Sequence, residues 1–329
     1  MPDLVAHVWF SERVAAALPP EIGEKARHDL FTYASAGPDV WFPLGFYGTK
    51  DKPLSARGGH MHENETGAFL TALTERCRVS GAKDLLFAYL AGYICHYAMD
   101  RTCHPYIIYR TGDYVGTPET LRYRGGHTRL ERGIDVWLIR EKYRSTPRLF
   151  NLNRRCLPLR RLPEELREDL TAVYDRVYGW PDAFDALNRA IRDHHLLYFL
   201  VQDSTGVLNQ LTKLTDNGRS GYDYRYFSYQ GRDLDEEKLD YLNLSHTPWR
   251  NFADPSLVST ESFPDLVDRA EEEAVDIITK IYSYVYHCDG SLPEIARRIG
   301  NASYTSGLDC RDEKNFGEKA YDPLFTADT

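Results

Sequence analysis

The segment AYLAGYICHYAMDRTCHPYI places His96, Asp100 and His104 four and four residues apart. On an α-helix such residues share one face, drifting by about 40° at each step. Imidazole nitrogens and carboxylate oxygens are ligands that zinc accepts. The run before His96 is strongly apolar, so this face is expected to be buried, where an Asp needs a partner or a metal. Two core histidines and a salt-bridged Asp would give the same spacing, and the stripe alone does not choose between them. In GGHTRLERGID, His127 and Glu131 are again four apart at the start of a predicted helix. Alone this pair reads more simply as a solvated face. In GHMHENETGAF, His60 and His62 stand before the predicted start of a helix, and one of them is a candidate ligand. In AGPDVWF, Asp39 follows a Gly-Pro turn, where turn and cap residues are common. In AHVWFSERV, His7 lies on an otherwise apolar helical face, the usual setting of a satisfied core histidine.

These residues need helices to hold them, and helical periodicity dominates the chain. It predicts helices over residues 5–18, 22–34, 63–78, 83–104, 128–143, 164–178, 182–214, 263–287 and 292–299. Residues 36–59, rich in Gly, Pro and aromatics, are expected to be a loop, and 144–163 form a basic, Pro-containing connection. Residues 216–262 mix Asn, Gly, Ser and Pro with Tyr and Phe, which predicts an ordered aromatic-rich excursion rather than a free linker. Neither an internal repeat nor a series of alternating strands is visible. The expected architecture is all-α. One domain spans residues 1–303, with its ligand-type motifs in 1–135 and a C-terminal helical extension, and a loosely ordered tail covers 304–329.

A chain of 329 residues with 42% hydrophobic and 27% charged residues can bury a sizeable core. The formal net charge of −9 argues against a generic nucleic-acid binder and against docking on anionic lipid through overall charge. Cations gathered in one cleft could reverse the local field, and metal ions do this well. Asp3, His7, Glu12 and Arg13 interrupt any apolar leader, and the longest apolar stretches are too short to span a membrane, so a cytoplasmic location is expected. The six Cys form no CxxC pair and are expected to be free thiols, with packing roles for Cys95 and Cys103.

In chain order the candidates run His, Asp, His, then HxxxD with a third His, then HxxxE. That series resembles the zinc-dependent phospholipase C family, found in bacterial phospholipases and in the catalytic domain of clostridial alpha-toxins. The resemblance is carried by motifs over residues 1–135 and more loosely by the helical remainder. It implies an all-helical fold shared with zinc nucleases and a cluster of two or three Zn²⁺. Residue by residue, it implies that Asp39, His62, His96 and Asp100 bind one zinc. His104, His127 and Glu131 would bind a second, and His7 a third, with Asp100 bridging. His62 is preferred to His60 because the family places its His just before a polar turn leading to a buried aromatic, here Phe69. Two features depart from the secreted enzymes. The chain starts Met1-Pro2-Asp3 and lacks the N-terminal Trp that completes the third site. The gap from Asp100 to His104 is shorter, as in intracellular bacterial relatives.

Three zinc ions against Asp39, Asp100 and Glu131 would leave the site at about +3 with neutral histidines, which draws in a phosphate diester. The implied activity is phospholipase C-like hydrolysis of a phosphate ester by metal-activated water, with Asp39 as general base. The substrate would be a small phosphodiester or a phospholipid headgroup. Glu63 and Glu65 are further candidates for the base if they reach the cleft, but are read first as ordinary helix N-terminal charges. Two other readings stay open: a single-strand-specific zinc nuclease, which usually carries HxxxD where Glu131 stands, and a non-catalytic binding protein stabilised by metal. His194 and His195 are read as groups supporting the site or lying at the surface, and His246 as a loop residue. No membrane-binding β-domain follows the helices, so haemolysis by the purified protein is not expected.

Overall fold

The computed structural model describes residues 3–26, 28–215, 228–229 and 239–325. Most of the expected aromatic excursion (216–227 and 230–238), the Met1-Pro2 start and the last four residues lie outside the described residues. The chain is all-α. Its helices are α1 (Leu4–Ala17), α2 (Pro20–Ala26), α3 (Asp29–Ala34), α4 (Ala56–Glu63), α5 (Thr66–Val79), α6 (Lys83–Thr111) and α7 (Gly126–Glu141). There follow α8 (Leu152–Cys156), α9 (Arg167–Tyr178), α10 (Ala183–Gln202), α11 (Val207–Thr215), α12 (Phe263–Tyr282) and α13 (Leu292–Ile299). A two-residue antiparallel ladder, β1 (Trp249–Arg250) with β2 (Val258–Ser259), is the only named sheet among the described residues.

Helix α6 organises the body. Nearly every side chain from Leu86 to Ile108 is buried, the mark of a helix enclosed on all sides. Around it pack α1, α2, α3, α5, α7 and α12. Pro105 lies inside the helix, at the point where the sequence predicts its end. An interior Pro costs about 3 kcal/mol. Burial of Tyr106 and Ile107 just beyond it offsets that, at about 1.5–3 kcal/mol per large apolar side chain, and the helix continues to Thr111. The glycine of the AYLAG segment has a separate task. A Cβ on Gly92 would stand 2.3 Å from the carbonyl oxygen of Phe31, so only glycine lets α3 lie this close to α6.

Helix α1 is fixed end-on to α7. Asp3 caps it, and the buried carboxylate of Asp135 accepts from the backbone N–H groups of Val5 (3.0 Å) and Ala6 (2.9 Å). A carboxylate against free N–H groups at a helix N-terminus is favourable on both hydrogen-bonding and dipole grounds. Arg132, one turn before Asp135, pairs with Asp3 at 2.7 Å. Ser-x-x-Asp and Ser-x-x-Glu capping boxes start α12 at Ser262 and α13 at Ser291.

Several elements differ from the sequence expectation. Residues 36–59 are not a loop throughout: 3₁₀ turns occupy Gly37–Trp41 and Lys52–Ser55, and α4 begins at Ala56. His60 and His62 therefore lie on a short helix of their own, directly before the expected one, α5. The Gly58-Gly59 pair hides α4 from propensity. Gly58 suits the packing, since a Cβ there would stand 2.9 Å from the Phe42 ring and the ring would have to shift. The predicted 22–34 helix is two, because His28 caps a new start by accepting from Leu30 N–H. The predicted 182–214 helix breaks at Asp203 and Gly206, both at positive φ, and the Asp203 carboxylate caps α11 through Leu208 and Asn209 N–H.

The largest correction concerns the C-terminal segment. Residues 304–325, expected to be loosely held, are tied to the body along their length. Ala320 N–H donates to Phe252, Asp322 N–H to Tyr109 and Leu324 N–H to Arg110. Tyr304 is 1% exposed, and Phe325 is buried. This segment lacks helical periodicity, and its order comes from contacts with α4, α6 and the 249–259 hairpin, which no local pattern announces.

Gly92→Ala is expected to destabilise the protein by about 1–3 kcal/mol, since backbone must move. Gly59→Ala, on the same kind of element with nothing within 4 Å of its Cβ position, should be neutral or mildly stabilising. Thermal unfolding of the two variants beside the parent separates a packing requirement from a loss of helix propensity.

Candidate metal centre

Five elements bring the candidate residues together. Helix α6 supplies His96, Asp100 and His104 from one face; α7 supplies His127 and Glu131; α1 supplies His7; α4 supplies His62; and the Gly37–Trp41 turn supplies Asp39. They form three groups with potential ligand atoms within 4.8 Å of one another: His7, His96 and Asp100; Asp39, His62 and His96; His104, His127 and Glu131. All eight are buried except His127, whose side chain is 37% exposed and marks the open side.

Asp100 stands at the junction. Its Oδ1 lies 3.2 Å from His7 Nε2, and its Oδ2 lies 3.1 Å from His96 Nε2 and 3.7 Å from His62 Nε2. Asp39 Oδ1 lies 3.2 Å from His62 Nε2 and 3.9 Å from His96 Nε2. In the other group, Glu131 Oε1 is 2.8 Å from His127 Nε2 and 3.7 Å from His104 Nε2. Tetrahedral ligands on zinc at about 2.0–2.1 Å are separated from each other by roughly 3.3 Å, so these spacings suit shared ions.

The histidines are oriented from behind. His62 Nδ1 meets the Gly58 carbonyl at 2.7 Å, His96 Nδ1 the Ser35 carbonyl at 3.0 Å, and His104 Nδ1 the Tyr304 carbonyl at 2.8 Å. Each contact makes Nδ1 the donor and leaves Nε2 as the lone-pair nitrogen facing inward. Those three Nε2 atoms, and both oxygens of Asp100, are buried without a well-formed hydrogen bond. Buried polar atoms in proteins are almost always satisfied. A convergent set that is not has the donor chemistry of a metal site, and these residues fit zinc.

The electrostatics agree. Burial alone would raise the Asp100 carboxyl, but His96 and His7 hold it well below the usual carboxylate range. Burial alone would lower the His62 imidazole, but Asp100 and Asp39 outweigh it and bring it up to about 10. Burial pushes the Glu131 carboxyl up. Metal-free, the centre holds protons where ions would sit.

Close approach around the cluster depends on one more glycine. Gly37 has φ +52°, and a Cβ there would stand 2.3 Å from His96 Cγ. The Gly-Pro pair read as a turn signal thus also sets the distance between Asp39 and His96. His60, the rejected alternative to His62, sits outside the groups with its ring against Tyr178 and Trp180. Glu63 lies at the end of α4, not at a helix start, and accepts from Ser303 (2.7 Å) and from Thr305. His195 is held by Asn153 and the Leu159 carbonyl, and His246 by the Thr260 carbonyl. His194 is buried against Tyr198, and burial pushes its imidazole down to about 4. The sequence did not point to the Ser35, Gly58 and Tyr304 carbonyls, since a backbone acceptor has no residue-type signature. Asp135 was within reach, in the same GGHTRLERGID motif.

Among known families, the one described as Zinc dependent phospholipase C has a sequence model that matches residues 6–204, more than half of the chain. Comparison with curated proteins and with solved structures gives no match. No helix among the described residues is long and apolar enough to cross a membrane.

Zinc taken up by metal-free protein must displace the His62 proton. Uptake near neutral pH is therefore expected to release at least one proton per chain, and affinity should rise with pH up to about 10, where His62 loses its proton unaided. Titration calorimetry in buffers of differing protonation enthalpy measures this; zinc binding with no proton release would exclude His62 as a ligand. His96→Ala and Asp100→Ala should each lose most of the bound zinc by elemental analysis.

Proposed function

The chain belongs to the zinc-dependent phospholipase C family, and on that premise we propose that it hydrolyses phosphate esters, with a small phosphodiester or a phospholipid headgroup as substrate. The observation that carries this reading is the division of labour on His62, His96 and His104. Each Nδ1 is committed to a backbone carbonyl, and each Nε2 faces buried carboxylates. A structural ion needs a closed set of ligands. Here the set opens at His127, which suits a centre that must admit a substrate.

In this reading Asp39, His62, His96 and Asp100 hold one ion, and His104, His127 and Glu131 a second. His7 faces the other oxygen of Asp100 and would hold a third. Zinc bound there supplies Lewis-acid charge that draws in the phosphoryl oxygens, activates water and stabilises the leaving alkoxide. The protein's own part is positional. The enclosed carboxylates set the spacing of the positive charge. The backbone carbonyls fix the imidazole tautomers. Asp39, at the edge of the cluster on a short turn, accepts the proton of the attacking water as general base. The HxxxE pair of His127 and Glu131 supports the phospholipase rather than the nuclease branch.

Asp39→Asn keeps the shape of the site and removes the base. It is expected to lower kcat on a chromogenic phosphodiester by about 10²-fold or more, while zinc remains at the His104, His127 and Glu131 group. Full activity in this variant would remove Asp39 from the mechanism. A fully zinc-loaded parent inert toward phosphodiesters would overturn the proposed activity.

A further inference from the structure

Helix α11 is turned inside out. Its polar residues Asn209 and Thr212 are buried, and Val207, Leu211 and Leu214 are exposed. At about 100° per residue the three apolar side chains fall within an arc of roughly 60°, opposite the two polar ones. A surface helix ordinarily turns its apolar stripe to the core. The inversion is enforced from within, because the buried Asp203 carboxylate accepts from Leu208 and Asn209 N–H and from Ser228 Oγ. The end of α10, joined to α11 by the short turn at Asp203–Gly206, adds further exposed apolar side chains: Phe199 is 70% exposed and Leu200 is exposed beside it.

Next to Phe199 lies a cationic strip. Residues 144–163 contain six Arg and no acidic residue, in a chain of net charge −9. A groove lined by Arg154, Arg160, Phe199, Gln202 and Ser204, with Asp29 as its one carboxylate, joins the basic segment to the end of α10. Arg148, Arg154 and Arg160 pair with no carboxylate among the described residues. Leu149, between two of the arginines, is 77% exposed.

Exposed aliphatic and aromatic side chains bordered by unpaired arginines match the chemistry of an anionic bilayer surface, whose acyl boundary takes the first and whose headgroups take the second. We propose that α11, the end of α10 and the 144–161 segment form a docking face for membranes carrying anionic phospholipid. The aliphatic stripe favours lipid over nucleic acid, which would be met by stacking aromatics along a basic track. Docking goes beyond the proposed hydrolysis and needs no turnover, so it is tested separately from it.

The experiment is co-sedimentation of the zinc-loaded full chain with phosphatidylcholine vesicles, with and without phosphatidylserine. Binding is expected to require phosphatidylserine and to weaken with salt. Arg154→Glu with Arg160→Glu, and separately Leu211→Asp with Leu214→Asp, should each lower partitioning at least about tenfold. All four positions are exposed, so unfolding temperature and hydrolysis of a soluble phosphodiester should match the parent. Four results would overturn the docking face. One is a parent that ignores phosphatidylserine vesicles, and another is variants that bind them as well as the parent. A third is a single-stranded oligonucleotide bound through the same arginines in place of vesicles. The last is a parent dimer that the leucine substitutions split, with no vesicle binding.

Discussion

A carboxylate with no exposed surface at the centre of a helical body is the constraint on which the rest depends. Asp100 cannot carry its charge there alone, because an unpaired buried ion costs several kcal/mol. The side chains that relieve it come from three helices: His7 on α1, His62 on α4 and His96 on α6 itself. Each must be brought within about 4 Å, and the packing of the body is the means. Gly92 lets α3 approach α6, which puts the Ser35 carbonyl behind His96. Gly37 lets the Asp39 turn lie against the His96 ring. Asp135 holds the start of α1 to α7, and so sets the height of His7 along the cluster. Loss of any of these contacts acts on the same small volume.

The sequence made the α6 and α7 contributions legible because four-residue spacing on a helix has only one geometric outcome. His96, Asp100 and His104 fall on one face, and His127 and Glu131 on another, whatever else the chain does. His7, Asp39 and His62 were readable only as members of an ordered series, since each alone has a commoner structural explanation. Helix α4 was not legible, because its Gly58-Gly59 pair contradicts the local propensity, while Gly58 faces the Phe42 ring. The extension of α6 past Pro105 was hidden for the same reason: burial of Tyr106 and Ile107 overrides a residue that ordinarily ends helices. Residues after 303 carry no periodic pattern at all, yet Tyr304 is among the most enclosed side chains. What escaped prediction is in each case tertiary contact.

Net charge proved a poor guide to local field. The total of −9 describes no particular surface. The carboxylates of the cluster are enclosed among histidines. The arginines of residues 144–163 share one connection with no acid between them. Charges separated by more than the Debye length of about 8–10 Å are largely screened from one another at physiological salt, so such regions act independently of the sum.

The contact between His104 and the Tyr304 carbonyl spans 200 residues of sequence. A ribosome builds the chain from the other end. His7, Asp39, His62, His96, Asp100, His127 and Glu131 are all made before residue 304 emerges, whereas the acceptor that fixes the His104 tautomer comes later. The same stretch of chain also donates Tyr304 N–H to the His62 carbonyl, so two residues from different parts of the cluster are fastened by one segment. The centre is thereby braced by a segment that carries none of its ligands, and a change near residue 304 would be felt at His62 and His104 alike.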